Sequence, residues 1–304
     1  MLEAGGRLYT DARVDEIFVD TEQHARGIRA GIQDPETNEP LARLSVDAER
    51  VILAAGTVNT PLLLLKEGLA NSSGLVGEKL RVQPGTGVFA KMSEDVLLWK
   101  GATQGYYAHH PDDPEVMLET FSSGNGALFT QADVIGYEGV EFLRDIRRVA
   151  TCGALHRDVS EGTVSRNDDG SAALTYFISG EDQRKFQKGL LKNIEMFFEA
   201  GADSVMPGVS GSRFYKSPNE ALDRVRRTSS AGEFDLYASH PLGTCRMHED
   251  PNKGVVRPQD GRTHDVEGLY ITDASIFPTS LGVNPQVTIM GNSIALAERM
   301  LEQA

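Results

Sequence analysis

Cysteine is scarce in this sequence. Two residues, Cys152 and Cys245, among 304 form neither a CxxC pair nor a disulfide framework. A disulfide-stapled scaffold and a cysteine-based zinc site are therefore excluded, and two free thiols in a reducing compartment are expected. Long apolar runs are missing too: no stretch nears the roughly twenty residues a membrane helix needs, and the richest segments are broken by Gly, Asn or Pro. The opening residues, MLEAGGRLYT, show no basic region followed by an apolar core, so no signal peptide is visible in them. Nothing visible demands export or a membrane span, and a cytoplasmic location is favoured. Basic residues are outnumbered, 30 Lys and Arg against 44 Asp and Glu, for a net charge of −14. With no basic stripe to offset that charge, nucleic acid is excluded as a partner.

What remains is an ordinary globular composition, 40% hydrophobic and 24% charged, long enough for one large or two ordinary domains. Three stretches can be told apart. The first is strand-rich: Val14, Ile17 and Val19, then Gly27 to Ile32, then Leu41 to Val46, separated by turn-forming residues. The run from Arg50 to Gly56 reads as a buried strand ending at a glycine, with Pro61 opening an apolar helix. The middle stretch alternates strands (Val116 to Phe121, Ala172 to Phe177) with helices. The spacing of Phe186, Leu190, Ile194 and Phe197 predicts a long helix over 180–200, stopped by Gly201, and a second helix is expected over 140–148. The pair His109-His110, followed by Pro111, reads as an exposed turn, and no metal site is expected. In the last stretch, Gly268 to Ile271 reads as a strand delivering Asp273, Ala274 and Ser275 at its carboxyl end. Asn284, as N-cap, and Pro285 then open a final helix with an apolar stripe of Val287, Met290, Ile294, Ala297 and Leu301.

Chemistry concentrates in that last stretch. His240 could serve as a base, Asn284 as an amide donor, and the helix that follows could steady an anion at its N-terminus. Together these suit oxidation of an alcohol. The bland reading of the same residues is a surface loop, an N-cap and a docking helix.

The ordered motifs His240-Pro241-Leu242-Gly243-Thr244-Cys245-Arg246-Met247 and Gly268-Leu269-Tyr270-Ile271-Thr272-Asp273-Ala274-Ser275, continuing through Asn284-Pro285-Gln286, resemble the C-terminal signature of the glucose–methanol–choline (GMC) flavin oxidoreductases. Ala54-Ala55-Gly56-Thr57-Val58-Asn59-Thr60-Pro61-Leu62-Leu63 is similar to that family's second signature. Asn71 to Gly77 and Glu199 to Ala202 resemble its long-chain alcohol oxidase branch. The resemblance implies an α/β fold, α+β in the substrate part: an incomplete Rossmann-like FAD-binding domain in two pieces, residues 1–84 and 235–304, around a substrate domain, 85–234, with an antiparallel sheet and helices. It implies FAD as cofactor and an alcohol as substrate, with a sugar or sterol as alternatives. Hydride passes to flavin N5, and oxygen or another acceptor takes the electrons. It further implies His240 as general base and Asn284 as its companion. Val14 would lie near the adenine, Ala55 and Gly56 beside the nucleotide, Asp273 and Ala274 by the ribityl and pyrophosphate groups, and Pro285 and Gln286 near the isoalloxazine. A long-chain substrate would add peripheral contact with lipid.

Three departures accompany the resemblance. Gln83 stands where the branch usually has histidine, and a structural role away from the proposed base is expected of it. His248 stands where Gly is usual. The family's glycine-rich GxGxxG loop occurs nowhere; Gly124 to Phe129 comes nearest. A C-terminal portion is therefore expected, with roughly two hundred further residues in a whole family member. The rival expectation is a non-catalytic fragment, or one partner of a two-chain assembly that lacks the N-terminal FAD-binding segment.

Overall fold

A computed structural model describes residues 2–122, 132 and 134–302. The glycine-poor approximation to a phosphate loop, Gly124 to Phe129, lies outside the described residues. An antiparallel meander opens the fold, with β1 (Ala12–Val19), β2 (Ala25–Gln33) and β3 (Pro40–Asp47), the last exposed along nearly its whole length. Then come β4 (Val51–Leu53), α1 (Gly56–Glu67), β5 (Glu78–Leu80), β6 (Gly85–Met92), and the hairpin of β7 (Tyr107–His110) and β8 (Asp113–Thr120). The pair His109-His110 ends β7 at that hairpin. His109 is exposed as expected, but His110 is buried and accepts the Asp112 N–H at 3.1 Å through Nδ1.

Past the undescribed stretch lie α2 (Gly136–Asp145), β9 (Val149–His156), β10 (Gly162–Arg166), β11 (Ala172–Tyr176), α3 (Gly180–Glu199), β12 (Ala202–Pro207) and α4 (Pro218–Arg226). Five antiparallel strands, ordered β12-β6-β9-β8-β7, form the largest sheet, and α3 lies across it. Phe186, Leu190 and Ile194 of α3 are fully buried against Val88, Ala90 and Val205. Ser179 caps this helix by accepting the Asp182 N–H at 3.1 Å, and Gly201, at φ +86°, ends it.

The chain closes with β13 (Leu269–Ile271) and α5 (Gln286–Glu302). β13 pairs in parallel with β4, although more than two hundred residues separate them. Ile17, Leu53, Leu64, Leu242, Ile271 and Leu296 share one core, so the first and last stretches pack as one body.

Two expected details fall differently. The helix after β4 begins at Gly56 and carries Pro61 inside it rather than at its start. The last helix turns Leu296 and Met300 inward, while Val287, Met290, Ile294 and Leu301 of its apolar stripe are 77%, 51%, 62% and 74% exposed. With only two strands in the parallel sheet, that stripe has no second layer to bury against among the described residues.

Candidate active site

The parallel register of β4 and β13 brings their carboxyl ends out side by side. Just beyond, the chain has to turn into α1, whose first N–H groups lack helical partners. Ala55 at the cap offers no side-chain acceptor, and the Asp273 carboxylate fills the role from across the sheet. Its Oδ2 accepts the Gly56 N–H at 2.8 Å and the Thr60 hydroxyl at 2.5 Å, and its Oδ1 accepts the Ser275 N–H at 2.8 Å. A buried negative charge there is favoured by the positive end of the helix dipole. Beside this clamp, Val14, Ile28, Val51, Leu53, Ala55 and Leu63 line an open, mostly apolar cavity of about 450 Å³.

The segment 240–247 is laid across the same clamp. Thr57 donates its hydroxyl to Pro241 O, and Thr244 donates its own to Thr57 O, each at 2.7 Å. Thr57 O is the carbonyl that residue 61 would bond in a regular helix, and Pro61 has no N–H to give it. Thr244 supplies the missing donor, which is why the proline is tolerated inside α1. Gly243 has φ +95°, and a Cβ would come within 2.6 Å of Lys79 O, so only glycine fits between β5 and Phe277. Cys245 and Met247 donate their N–H groups to Ser275 O (2.8 Å) and Ile276 O (2.7 Å), beside the 3-10 turn Ala274–Ile276 that follows Asp273. Ala274 O accepts the Gly243 N–H at 3.4 Å. Cys245 is completely buried, and burial pushes its thiol pKa up.

His240 is thereby held at the edge of a second, narrower cavity of about 60 Å³, walled by Gln83, Glu119, Phe121, Leu155, Tyr237 and the imidazole itself. Gly153 makes the room, since a Cβ there would sit 2.6 Å from the Tyr237 hydroxyl. Burial lowers the His240 pKa below its ordinary value. Gln83, 1% exposed, places Nε2 3.2 Å from His240 Nδ1 and donates to Val283 O at 3.0 Å. Its Oε1 accepts the Gly282 N–H at 2.8 Å and the Ser280 hydroxyl at 3.0 Å. Gln83 therefore touches the imidazole directly, correcting the expectation of a role away from it. Asn284 does not cap α5. Its Nδ2 donates to Glu119 Oε1 at 3.0 Å, and its buried Oδ1 has no partner among the described residues. Burial raises the Glu119 pKa, with the Asn284 hydrogen bond opposing it. Burial, then the Glu119 charge, pushes the Cys152 thiol up to about 12.

The expected site residues thus gather into two adjoining groups. Val14 and Ala55 share the larger cavity; Gly56 and Asp273 belong to the clamp beside it, and Ala274 opens the 3-10 turn that follows. His240 lines the narrow cavity and Asn284 reaches it only through Glu119; the two are joined through Gln83 and residue 283 rather than by a hydrogen bond to each other. Pro285 is buried, with its carbonyl accepting the Ile289 N–H at 2.9 Å, and Gln286 is exposed in the first turn of α5. His248 keeps its turn by accepting the Asp250 N–H at 2.9 Å and packing on Gly254, where a Cβ would come within 2.6 Å of it.

Comparison with known proteins decides what this arrangement belongs to. The chain matches the GMC oxidoreductase family over residues 1–85 and 158–293, more than half its length in all. It is a member of the GMC oxidoreductase family. An uncharacterized GMC-type oxidoreductase of Mycobacterium tuberculosis is 33% identical over 298 residues, covering 97% of this chain and 46% of that protein. A long-chain-alcohol oxidase of Arabidopsis thaliana is 28% identical over 321 residues, covering 93% and 41%. The chain thus spans about half the length of the curated relatives it matches. Formate oxidase of Aspergillus oryzae shares the fold with a TM-score of 0.68 at 15% identity, over 94% of this chain and 59% of that structure.

GMC oxidoreductases are FAD-dependent, and the residues here fit such a cofactor. An apolar cavity open at the strand ends suits a planar base, and the unpartnered Asn284 Oδ1 is a buried acceptor awaiting a donor. Sequence reasoning missed Glu119. The signal was a carboxylate within Val116-Met117-Leu118-Glu119-Thr120-Phe121, where both faces of the strand are otherwise apolar or nearly so.

Proposed function

We propose that this GMC family chain carries the substrate-binding part and the reactive loop of an FAD-dependent oxidoreductase acting on the CH–OH group of alcohols. Residues 1–84 and 235–304 contribute to the FAD-binding body, and 85–234 form the wall against which the alcohol lies. One observation carries the reading: Pro241 and Thr244 are bonded to the first turn of α1, so the His240 cavity adjoins the carboxyl ends of β4 and β13. Open α/β sheets take their ligands at such strand ends. Val14 and Ala55 would hold the adenine end, and Gly56, Asp273 and Ala274 the middle of the cofactor. Pro285, Gln286 and the start of α5 would face the flavin ring. When bound, FAD supplies the two-electron acceptor for the carbinol hydride. His240 and Asn284 meet the substrate hydroxyl, and burial keeps His240 neutral at pH 7, the state that can hydrogen-bond or exchange a proton with it. The narrow cavity and its Phe121, Leu155 and Tyr237 walls favour the end of an unbranched alcohol over a sugar or sterol. The likeness to a long-chain-alcohol oxidase points the same way.

The test is the visible spectrum after FAD is added and the unbound excess removed. A retained flavin band is expected. A second reading draws on the exposed stripe of α5 and the open edges of the two-stranded sheet: the chain completes its FAD site only with a glycine-rich βαβ segment. On that reading the band appears only when such a segment is supplied. Colourless protein in both experiments contradicts both.

A further inference from the structure

We propose that Glu119 makes the narrow cavity selective for an alcohol with a second hydroxyl beside the one oxidised, a 1,2-diol ending an unbranched chain. The proposal rests on reading that cavity as the place where an alcohol is oxidised. It starts from the lining. Phe121, Leu155 and Tyr237 give largely apolar walls, His240 and Gln83 stand at the edge, and Glu119 is the one carboxylate among the described residues there. A pocket meant only for hydrocarbon gains nothing from that group, because a carboxylate drawn out of water is costly unless it is paired. Glu119 is only half paired. Its Oε1 accepts from Asn284 Nδ2 at 3.0 Å, and its Oε2 has no hydrogen-bond partner among the described residues. Gly153, opposite it in β9, has no side chain to cover it, and no lysine or arginine lines the space. Burial keeps the neighbouring Cys152 thiol and Tyr237 phenol neutral, and Tyr107, its partner in β7, is exposed.

In a closed site the missing donor has to arrive with the substrate. A hydroxyl brings one donor to one free oxygen and makes a charge-assisted bond with it. An alkylammonium brings three donors and a full charge, and the donors left over are costly in a dry space. The cavity measures about 60 Å³, so an oxygen held by His240 and one held by Glu119 belong to neighbouring carbons of one molecule. A primary alcohol of the same length covers the same apolar walls but leaves Oε2 desolvated and unpaired. For that reason a site built to bond a hydroxyl discriminates strongly against the analogue that lacks it. Glu119 is thus a specificity-determining residue. It leaves the oxidation to the groups already described and decides which alcohol is held beside them.

The first measurement needs no turnover. Carboxyl-¹³C glutamate labelling, with the Glu119→Gln variant for assignment, follows the titration of this one side chain. Burial raises its pKa, and a hydroxyl donated to Oε2 favours the charged form and opposes that rise. Saturating 1,2-hexanediol should therefore lower the titration midpoint, by about one pH unit. The matched alcohol 1-hexanol adds desolvation without a donor and should leave the midpoint in place or raise it. A midpoint that the diol does not lower, or that 1-hexanol lowers equally, overturns the proposal.

The second measurement is the ratio of kcat/KM for the two alcohols in FAD-loaded protein. The diol should be favoured by about ten-fold or more. Glu119→Leu should bring the ratio to one or below. Glu119→Gln keeps the shape but has one acceptor to share between Asn284 and the substrate, so the ratio should fall there too. Equal values in the unaltered protein, or a preference for the diol that survives both substitutions, contradict the proposal. A higher kcat/KM for 2-amino-1-hexanol than for the diol would assign Glu119 to a cation and also overturn it. If neither alcohol reduces the flavin, the functional reading fails, while the carboxyl titration still decides whether Glu119 meets a diol.

Discussion

Thr57 has a carbonyl that its own helix cannot satisfy, because Pro61 sits four residues on, and Thr244 satisfies it from a distant segment. The bond fastens the histidine-bearing loop to α1, so a residue four positions from His240 sets where His240 stands. Thr244→Val leaves the buried carbonyl without a donor and should cost about 1–3 kcal/mol in urea denaturation. Adding Pro61→Ala restores the helical N–H and should recover most of that loss; an unchanged loss in the double variant would sink the explanation. At this scale the sequence was only partly legible. His240, Asn284 and Asp273 could be singled out because they stand in ordered motifs. Gln83 and Glu119 could not, because their partners, His240 and Asn284, lie more than one hundred and fifty residues away and only the folded sheet brings them together.

Elements were more legible than contacts. The four-residue steps from Phe186 to Ile194 announced α3 and its buried face, and Asp273 does follow a strand that pairs with β4. Spacing says nothing, however, about how closely a helix approaches its sheet. Gly189 lies on the face of α3 that meets β9, and an added Cβ would overlap the Ala154 Cβ. Elsewhere in a helix, Gly→Ala would stabilise by about 0.5–1 kcal/mol. Gly189→Ala should instead destabilise by about 1–3 kcal/mol, and Ala154→Gly in the same protein should relieve it. A double-mutant cycle by thermal denaturation checks the coupling, and additive losses would show that α3 does not rest on Ala154. For the same reason spacing alone does not say which face of the last helix meets the core. Its stripe has helical spacing, but which side meets the core depends on the layers present, and Leu296 and Met300 won that contact.

At the scale of the whole molecule, the first and last stretches share one core and leave a two-stranded parallel sheet beside an exposed apolar helix face. Parallel strands ordinarily lie buried on both faces, whereas Ile52 of β4 is 51% exposed here. The five-stranded antiparallel sheet supplies Glu119, Phe121 and Leu155, and the carboxyl-terminal stretch supplies His240, to one narrow space, with Asn284 bonded to Glu119 behind it. The central claim is that this space oxidises an alcohol against a flavin held at the ends of β4 and β13. Anaerobic stopped-flow mixing of the FAD-loaded protein with a fatty alcohol tests it most directly. The oxidised flavin band should bleach, and in His240→Ala it should stay bound and bleach at least about 100-fold more slowly. A bound flavin that no alcohol bleaches, or equal rates with and without His240, would contradict the account.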